Sequence, residues 1–374
     1  MSSSSLQIPP VVDGAIKTEA LTYYTFKDPL KVATMDLKLD PAAAKSGEIV
    51  TPKQLLIETK AASINPVDLC LKGLSSRFYK ASVQKVMGGD FAGLVLKAGS
   101  ETGFKAGDRV YGDIIKPFSS TGSFSKYLLF DPKDALFCNK IPEGMTYEQA
   151  SSLCIASGTA FEALRTHKGS LKGANVLVLG GGTSLGSHAI QFAKHYFGAK
   201  HVAATCSSRS SERVKQFGPD KLIDYRKGKT SEINEILESV KEYGKFDIVV
   251  DSVRDPVLYG YLDSTLKTKE EGGIFTQIQG SKSVNYTNIA ISDLLPQWQY
   301  IVESVKELVG LSKFQFYSLL ETPDEEYGPA VEKLWKEKKF LVTLDSVHDF
   351  KTDYETAIQK VASASAQGKV VLKF

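Results

Sequence analysis

Val176-Leu177-Val178-Leu179-Gly180-Gly181-Gly182-Thr183-Ser184-Leu185-Gly186 decides the fold. Four apolar residues run straight into three glycines. Beyond them Ser187 to Lys194 reads at helical spacing, with Ala189, Ile190, Phe192 and Ala193 on or beside one face. A buried strand turning sharply into a helix points free N–H groups, and the positive end of the helix dipole, at an anion. Glycines let backbone approach a pyrophosphate with no Cβ in the way. A strict G-x-G-x-x-G needs glycines at 180, 182 and 185, but residue 185 is Leu. A looser pattern keeps Gly180 and Gly186 with Thr183 between them. The cofactor-binding candidates are therefore Gly180, Gly181, Gly182, Thr183, Ser184, Leu185 and Gly186. The same residues also suit a strand–helix turn that binds nothing.

Working outward, alternating strands and helices surround this turn. Expected strands are Val176–Gly180, Val202–Cys206, Lys221–Asp224, Phe246–Asp251, Gly273–Gln279 and Lys313–Tyr317. Expected helices are Ser184–Tyr196, Ser208–Phe217, Ser231–Tyr243, Pro256–Leu266 and Ile291–Leu308. Continuous apolar runs such as Ile248-Val249-Val250 argue for a parallel sheet covered on both faces. The fold class is α/β, with a doubly wound parallel sheet. The first 140 or so residues differ: they are β-rich with frequent turns, as in a partly open barrel. There Gln54–Ile64 reads as one strand ending at Asn65-Pro66, with a short helix from Val67 capped near Gly73. Thr146 to Leu164 reads as helix interrupted at Gly158. The tail from Thr322 breaks the alternation and is expected to pack on the N-terminal block.

Bulk properties exclude several classes. The 374 residues suit two domains with ample core. Lys and Arg number 46 against 43 Asp and Glu, too balanced for a nucleic-acid partner. Cys70, Cys138, Cys154 and Cys206 form no C-x-x-C pair, which argues against structural zinc and a disulfide scaffold and fits a reducing compartment. Met1–Ser5 lacks the features of a secretory signal, and no run approaches the roughly 18 apolar residues of a membrane span. The expectation is a cytoplasmic protein with no integral membrane segment.

Several pieces occur in a familiar order: Ile64-Asn65-Pro66-Val67-Asp68, Gly88-Gly89-Asp90-Phe91-Ala92-Gly93, Lys105-Ala106-Gly107-Asp108-Arg109-Val110, Gly122-Ser123-Phe124 and Gly368-Lys369-Val370-Val371. This set resembles the medium-chain dehydrogenase/reductase superfamily, and within it the zinc-free quinone oxidoreductase branch. Through Val176–Gly180, Asp251-Ser252-Val253 and Asp345-Ser346-Val347 it is similar to fungal Yim-like proteins. The resemblance implies a GroES-like domain at 1–160 with 322–374 and a Rossmann domain at 161–321. It also admits a homodimer joined through the fifth or sixth strand and a lipid-droplet surface. Three departures matter. The zinc-dependent branch carries Cys where Asn65 stands and Gly-His-Glu where Gly88-Gly89-Asp90 stands, so no catalytic metal is expected. Thr183 stands where the quinone branch usually has glycine, and it narrows the turn. Ala366-Gln367 replaces the usual basic residue before Gly368.

The expected cofactor is NADPH. An NAD site puts an acidic side chain after the second strand, yet His201–Ser211 contains none. Ser207, Ser208 and Arg209 offer hydroxyls and a guanidinium that suit a 2′-phosphate, or else form a polar surface loop. The resemblance adds Tyr225 to that phosphate, Ser252 and Val253 to the nicotinamide side, and Gln279 and Lys369 to the cofactor. Each serves equally well as a turn or cap residue. Hydride transfer to a quinone or an α,β-unsaturated carbonyl then needs donors for the developing oxyanion. By analogy Asn65 supplies an amide and Tyr79 a phenol; Tyr79 reads otherwise as an exposed loop aromatic. Asp68 caps or orients. The five histidines show neither metal-ligand spacing nor a triad with a serine. The alternative is an NADPH-binding regulatory or scaffold protein with little turnover.

Overall fold

The computed structural model describes residues 6–78, 82–115, 120–278, 284, 286, 289–290, 293, 295–319 and 325–374. The chain forms two compact units. The first holds Met1–Ile155, Tyr286–Ile289 and Leu344–Phe374, the second Ala156–Asn285 and Ala290–Thr343.

The first unit opens with the antiparallel pair β1 (Ala15–Tyr23) and β2 (Lys31–Lys38). Then come β3 (Leu55–Ile64), α1 (Pro66–Phe78), β4 (Asp90–Ala98), β5 (Arg109–Asp113), β6 (Tyr127–Phe130), β7 (Phe137–Lys140) and α2 (Tyr147–Ser151). Leu55, Ile57, Phe91, Val95 and Val110 form one buried cluster at the centre of the sheet. β3 ends where Pro66 removes a donor and presets the helical φ, and α1 begins. α1 runs past Gly73 instead of stopping there. A Cβ at Gly73 would lie 2.9 Å from Ile289 Cβ, so this glycine makes room for packing.

The second unit begins within α3 (Cys154–Arg165). Gly158 lies inside this helix; the break before it falls at 152–153. There follow β8 (Asn175–Leu179), α4 (Ser184–Gln191), β9 (His201–Cys206), α5 (Ser211–Lys215), β10 (Lys221–Asp224), α6 (Lys229–Tyr243), β11 (Ile248–Asp251), β12 (Ile274–Ile278), α7 (Trp298–Leu308), β13 (Gln315–Leu319) and α8 (Tyr327–Lys336). The sheet order is β10-β9-β8-β11-β12-β13, all parallel. Strand order reverses between β8 and β11, which places the glycine turn at the switch point where such sheets bind ligands. The expected helix over 256–266 is instead a 3₁₀ turn at Pro256–Leu258 and a single turn at Leu262–Thr265, separated at Gly260. Of the helix expected over 291–308, residues 298–308 are helical, and 291, 292 and 294 lie outside the described residues.

The chain closes with β14 (Leu344–Asp349), α9 (Tyr354–Ala362) and β15 (Lys369–Lys373), which rejoin the first unit. The first unit's main sheet runs β14-β15-β3-β4-β5-β7, with β6 also on β3, and it does not close into a barrel. The tail thus divides near Thr343, whereas the expected split gave all of 322–374 to the first domain. The reason is aromatic packing: Tyr327 meets Phe161 at 5.9 Å and Phe340 meets Phe192 at 5.0 Å. Both ends of the Gln191 amide also bond the backbone of Leu341. Among the described residues no helix is long and apolar enough to cross a membrane.

Candidate functional site

In the second unit the turn after β8 needs glycine for two separate reasons. Gly180 has φ +87°, and a Cβ there would lie 2.4 Å from Val253 Cγ1. At Gly186 a Cβ would strike the Gly180 carbonyl oxygen at 2.2 Å. The turn is therefore shut against β11 and α4 by contacts that only hydrogen atoms allow. Thr183 is the N-cap of α4: its hydroxyl accepts the Gly186 N–H at 2.9 Å. It lies 2.9 Å from the Gly180 carbonyl and 3.0 Å from Ser252 Oγ. Ser252, buried at the end of β11, donates to the Leu179 carbonyl. Gly181 donates to the Thr205 carbonyl, tying the turn to β9. Ser184 and Leu185 open α4 half-buried.

Behind Gly182 lie Ser210 and Arg213. The Arg213 Nη2 donates to the Gly182 carbonyl at 2.9 Å, and a Cβ on Gly182 would meet Ser210 Oγ at 3.0 Å. Ser207 Oγ is 3.0 Å from Ser210 Oγ, while Ser208 and Arg209 are exposed and Tyr225 is 42 % exposed after β10. Arg213 escaped the sequence reading; its signal was a second arginine one helical turn after Arg209. The turn and the opening of α4 suit a dinucleotide's pyrophosphate. On β11, Asp251 accepts Gln277 Nε2 at 2.8 Å, and burial pushes its carboxyl up to about 6. Val253 follows, its N–H held by Asp251 Oδ1. Gln279 and Tyr79 lie outside the described residues.

The first unit carries a second cluster. Lys369, on β15, has a side chain only 6 % exposed and reaches Asn65 Oδ1 at 2.5 Å and Asp90 Oδ2 at 3.2 Å. Asp90 also accepts from Asn65 Nδ2 at 2.7 Å, from Ser63 Oγ, and from the Ile155 N–H at 3.0 Å. Asn65 is thereby fixed at both ends of its amide, with one Nδ2 hydrogen left over. Asp68, in the first turn of α1, accepts the Asn65 N–H at 2.7 Å, half of a capping box. This donor set does not suit zinc: it holds no imidazole, burial and the charges of Asp90 and Asp113 push the neighbouring Cys154 thiol up, against forming a thiolate, and Asp90 is spent on an ammonium and three N–H or O–H donors. Among the described residues no group of three His, Cys, Asp or Glu is arranged to hold a metal.

Three buried carboxyls share one lysine, and the electrostatics follow. Burial and the charge of Asp90 push Asp68 up to about 7 and Asp113 well above the carboxylate range. The sign for stability is fixed by Asp68's ordinary value of 3.8. Between that value and about 7 the folded chain holds the extra proton, so stability falls as pH rises, by up to about 1.4 kcal/mol per pH unit. Asp68→Asn removes this slope. Thermal melts are expected to show the variant gaining on the parent from about pH 4 to about pH 7 and levelling off above that. A difference that stays flat with pH excludes Asp68 as the titrating group.

The histidines are not all packing residues, and one of them does meet a serine, contrary to the expectation from sequence. His201 stacks on Tyr243 and His188 on Phe340, as packing residues. His348, however, does meet a serine and an aspartate: Nδ1 is 2.7 Å from Asp353 Oδ2 and Nε2 is 2.9 Å from Ser346 Oγ.

Known proteins agree with this architecture. The family model "Alcohol dehydrogenase GroES-like domain" matches residues 51–143, and "Zinc-binding dehydrogenase" matches residues 217–372. Protein YIM1-2 of Lachancea thermotolerans is 30 % identical over 366 residues, covering 96 % of this chain and 98 % of that protein. Among solved structures, the quinone oxidoreductase from Coxiella burnetii superposes with a TM-score of 0.72 at 22 % identity, covering 96 % of this chain and 99 % of that one. The CurK enoyl reductase gives 0.70 at 18 %, with the same coverage. At such identities these two structures speak for the fold alone. The chain belongs to the medium-chain dehydrogenase/reductase superfamily, among its Yim1-like members.

Proposed function

We propose that the chain is an NADPH-dependent, zinc-independent reductase of quinones, enals or enones, working in the cytoplasm. The observation that carries this reading is the Asn65–Lys369–Asp90 network, a fixed set of donors where metal-using relatives place ligands. Bound at Gly180–Gly186, the reduced nucleotide supplies the hydride. Asn65 keeps one Nδ2 hydrogen and Lys369 a third ammonium hydrogen for a carbonyl oxygen that gains negative charge. Asp90 holds both donors in place. Tyr79 is the sequence-based candidate for the proton donor.

NADPH is preferred over NADH through Arg213, together with Ser207, Ser208, Arg209 and Tyr225. Arg213→Ala is expected to weaken NADPH about tenfold more than NADH, since a charge-assisted hydrogen bond to a phosphate is worth about 1.5 kcal/mol or more, while loss of its bond to the Gly182 carbonyl weakens both nucleotides alike. Isothermal calorimetry with both nucleotides checks this. No heat with NADPH at millimolar levels defeats the whole reading. NADPH binding with no turnover of any quinone, enal or enone selects the regulatory alternative instead. The capping role of Thr183 favours that alternative, because its hydroxyl occupies the Gly186 N–H.

A homodimer is part of the same proposal. β13 ends the sheet, and beside it Trp298 and Leu308 of α7 are 73 % and 86 % exposed. Light scattering on the purified protein distinguishes one copy from two.

A further inference from the structure

The reductase reading leaves Ser346, His348 and Asp353 unused. Ser346 and His348 are two apart on β14 and share one face of that strand, while Val347 points away and is exposed. Asp353 stands at the N-cap position of α9. Its carboxylate on Nδ1 selects the tautomer that leaves Nε2 free to accept from the Ser346 hydroxyl. Thr356 and His348 hold the Asp353 carboxyl below its ordinary range, so it stays ionised. Lys360 lies 3.4 Å from Ser346 Oγ and is paired with Asp345. Register shifts between Leu344 and Ser346, a bulge at Asp345 that re-aims the strand just before the serine. β14 is the end strand of its sheet, and Ser346 is partly exposed. The Ser346–His348 bond joins residues of one strand, so anchoring β14 to α9 does not require it.

We propose that Ser346, His348 and Asp353 form a second reactive site, a serine nucleophile that accepts small acyl groups from activated esters. Ser346 Oγ bonds to the acyl carbon while His348 Nε2 takes its proton. Asp353 holds the resulting imidazolium, and the Lys360 ammonium faces the carbonyl oxygen as it becomes negative. The ester C–O bond then breaks, and the departing alcohol or phenol takes the proton from His348. Water, activated by the same imidazole, releases the acid and restores the serine.

The test uses the full chain and a fluorophosphonate probe, read by intact mass and peptide mapping, with p-nitrophenyl acetate as a turnover substrate. One phosphonyl adduct on Ser346 is expected. It should vanish in Ser346→Ala and form at least about 100-fold more slowly in His348→Gln, the size of a lost general base. Asp353→Asn should slow it by about tenfold or more. Unfolding curves and NADPH binding of each variant separate loss of reactivity from loss of fold. NADPH consumption is expected to be unchanged in Ser346→Ala, so this site and the reductase fail independently. No adduct on the parent, an adduct elsewhere, or an equal rate in folded His348→Gln overturns the proposal and leaves the three residues as a structural network.

Discussion

Lys369→Met is expected to destabilise the first unit by about 3–5 kcal/mol and to lower reductase turnover by about 100-fold or more. The methionine matches the lysine stem but removes the cation that, among the described residues, touches Asp90 Oδ2. Asp90 is fully buried, so its carboxylate loses its counter-charge and keeps only the neutral donors Ser63, Asn65 and the Ile155 N–H. Asn65 loses the donor to its Oδ1 at the same time and is no longer held at both ends. Urea unfolding followed by circular dichroism measures the loss. Asp90→Asn, made alone, strands the lysine instead. The double variant Lys369→Met with Asp90→Asn is expected to cost clearly less than the two singles summed, because no buried charge remains uncompensated. Strict additivity would mean that the two side chains do not act as a pair.

The second large effect is expected at Gly186→Ala. The added methyl would sit 2.2 Å from the Gly180 carbonyl, and backbone cannot swing aside as a side chain can. Relief requires α4 to withdraw from the turn, which breaks the Thr183 cap and moves the helix opening. Overpacking of this kind costs about 3 kcal/mol or more, and NADPH affinity should fall about 100-fold. Gly182→Ala is the matched control. Its nearest neighbour is Ser210 Oγ at 3.0 Å, the end of a small side chain, so a cost below about 1 kcal/mol is expected. Calorimetry on the two variants compares them directly. An NADPH affinity for folded Gly186→Ala equal to the parent's would show that the nucleotide does not lodge at this turn.

Much of the second unit was readable because its signals are local. Apolar runs such as Val176–Leu179 and Ile248–Val250 are buried on both faces, and glycines mark the turn that follows β8. Helices were harder where turn chemistry competes. Asp255 caps Pro256–Leu258 through the Val257 N–H, and residues 259–261 separate that turn from the one at Leu262–Thr265, so the expected helix becomes two short turns. Gly73 looked like a stop and is a packing contact, a distinction that depends on Ile289, far along the chain. Lys369 was read from the resemblance as a cofactor residue. Its partner Asp90 lies 279 residues earlier, beyond the reach of any periodicity. Ser346, His348 and Asp353 were close in sequence, and their spacing held a usable clue. Two residues apart on a strand means one shared face, and an aspartate opening the next helix lies within reach of it.

The last strand of the chain, β15, sits between β14 and β3 inside the first unit's sheet. Residues 1–155 therefore leave the ribosome with a gap where that strand belongs, and with Asp68, Asp90 and Asp113 lacking the Lys369 ammonium. The nucleotide-binding unit is translated whole before the gap is filled. Vectorial synthesis thus makes completion of the first unit wait on translation of the second, and a chain cut before residue 369 keeps the gap and is expected to be a target for proteolysis.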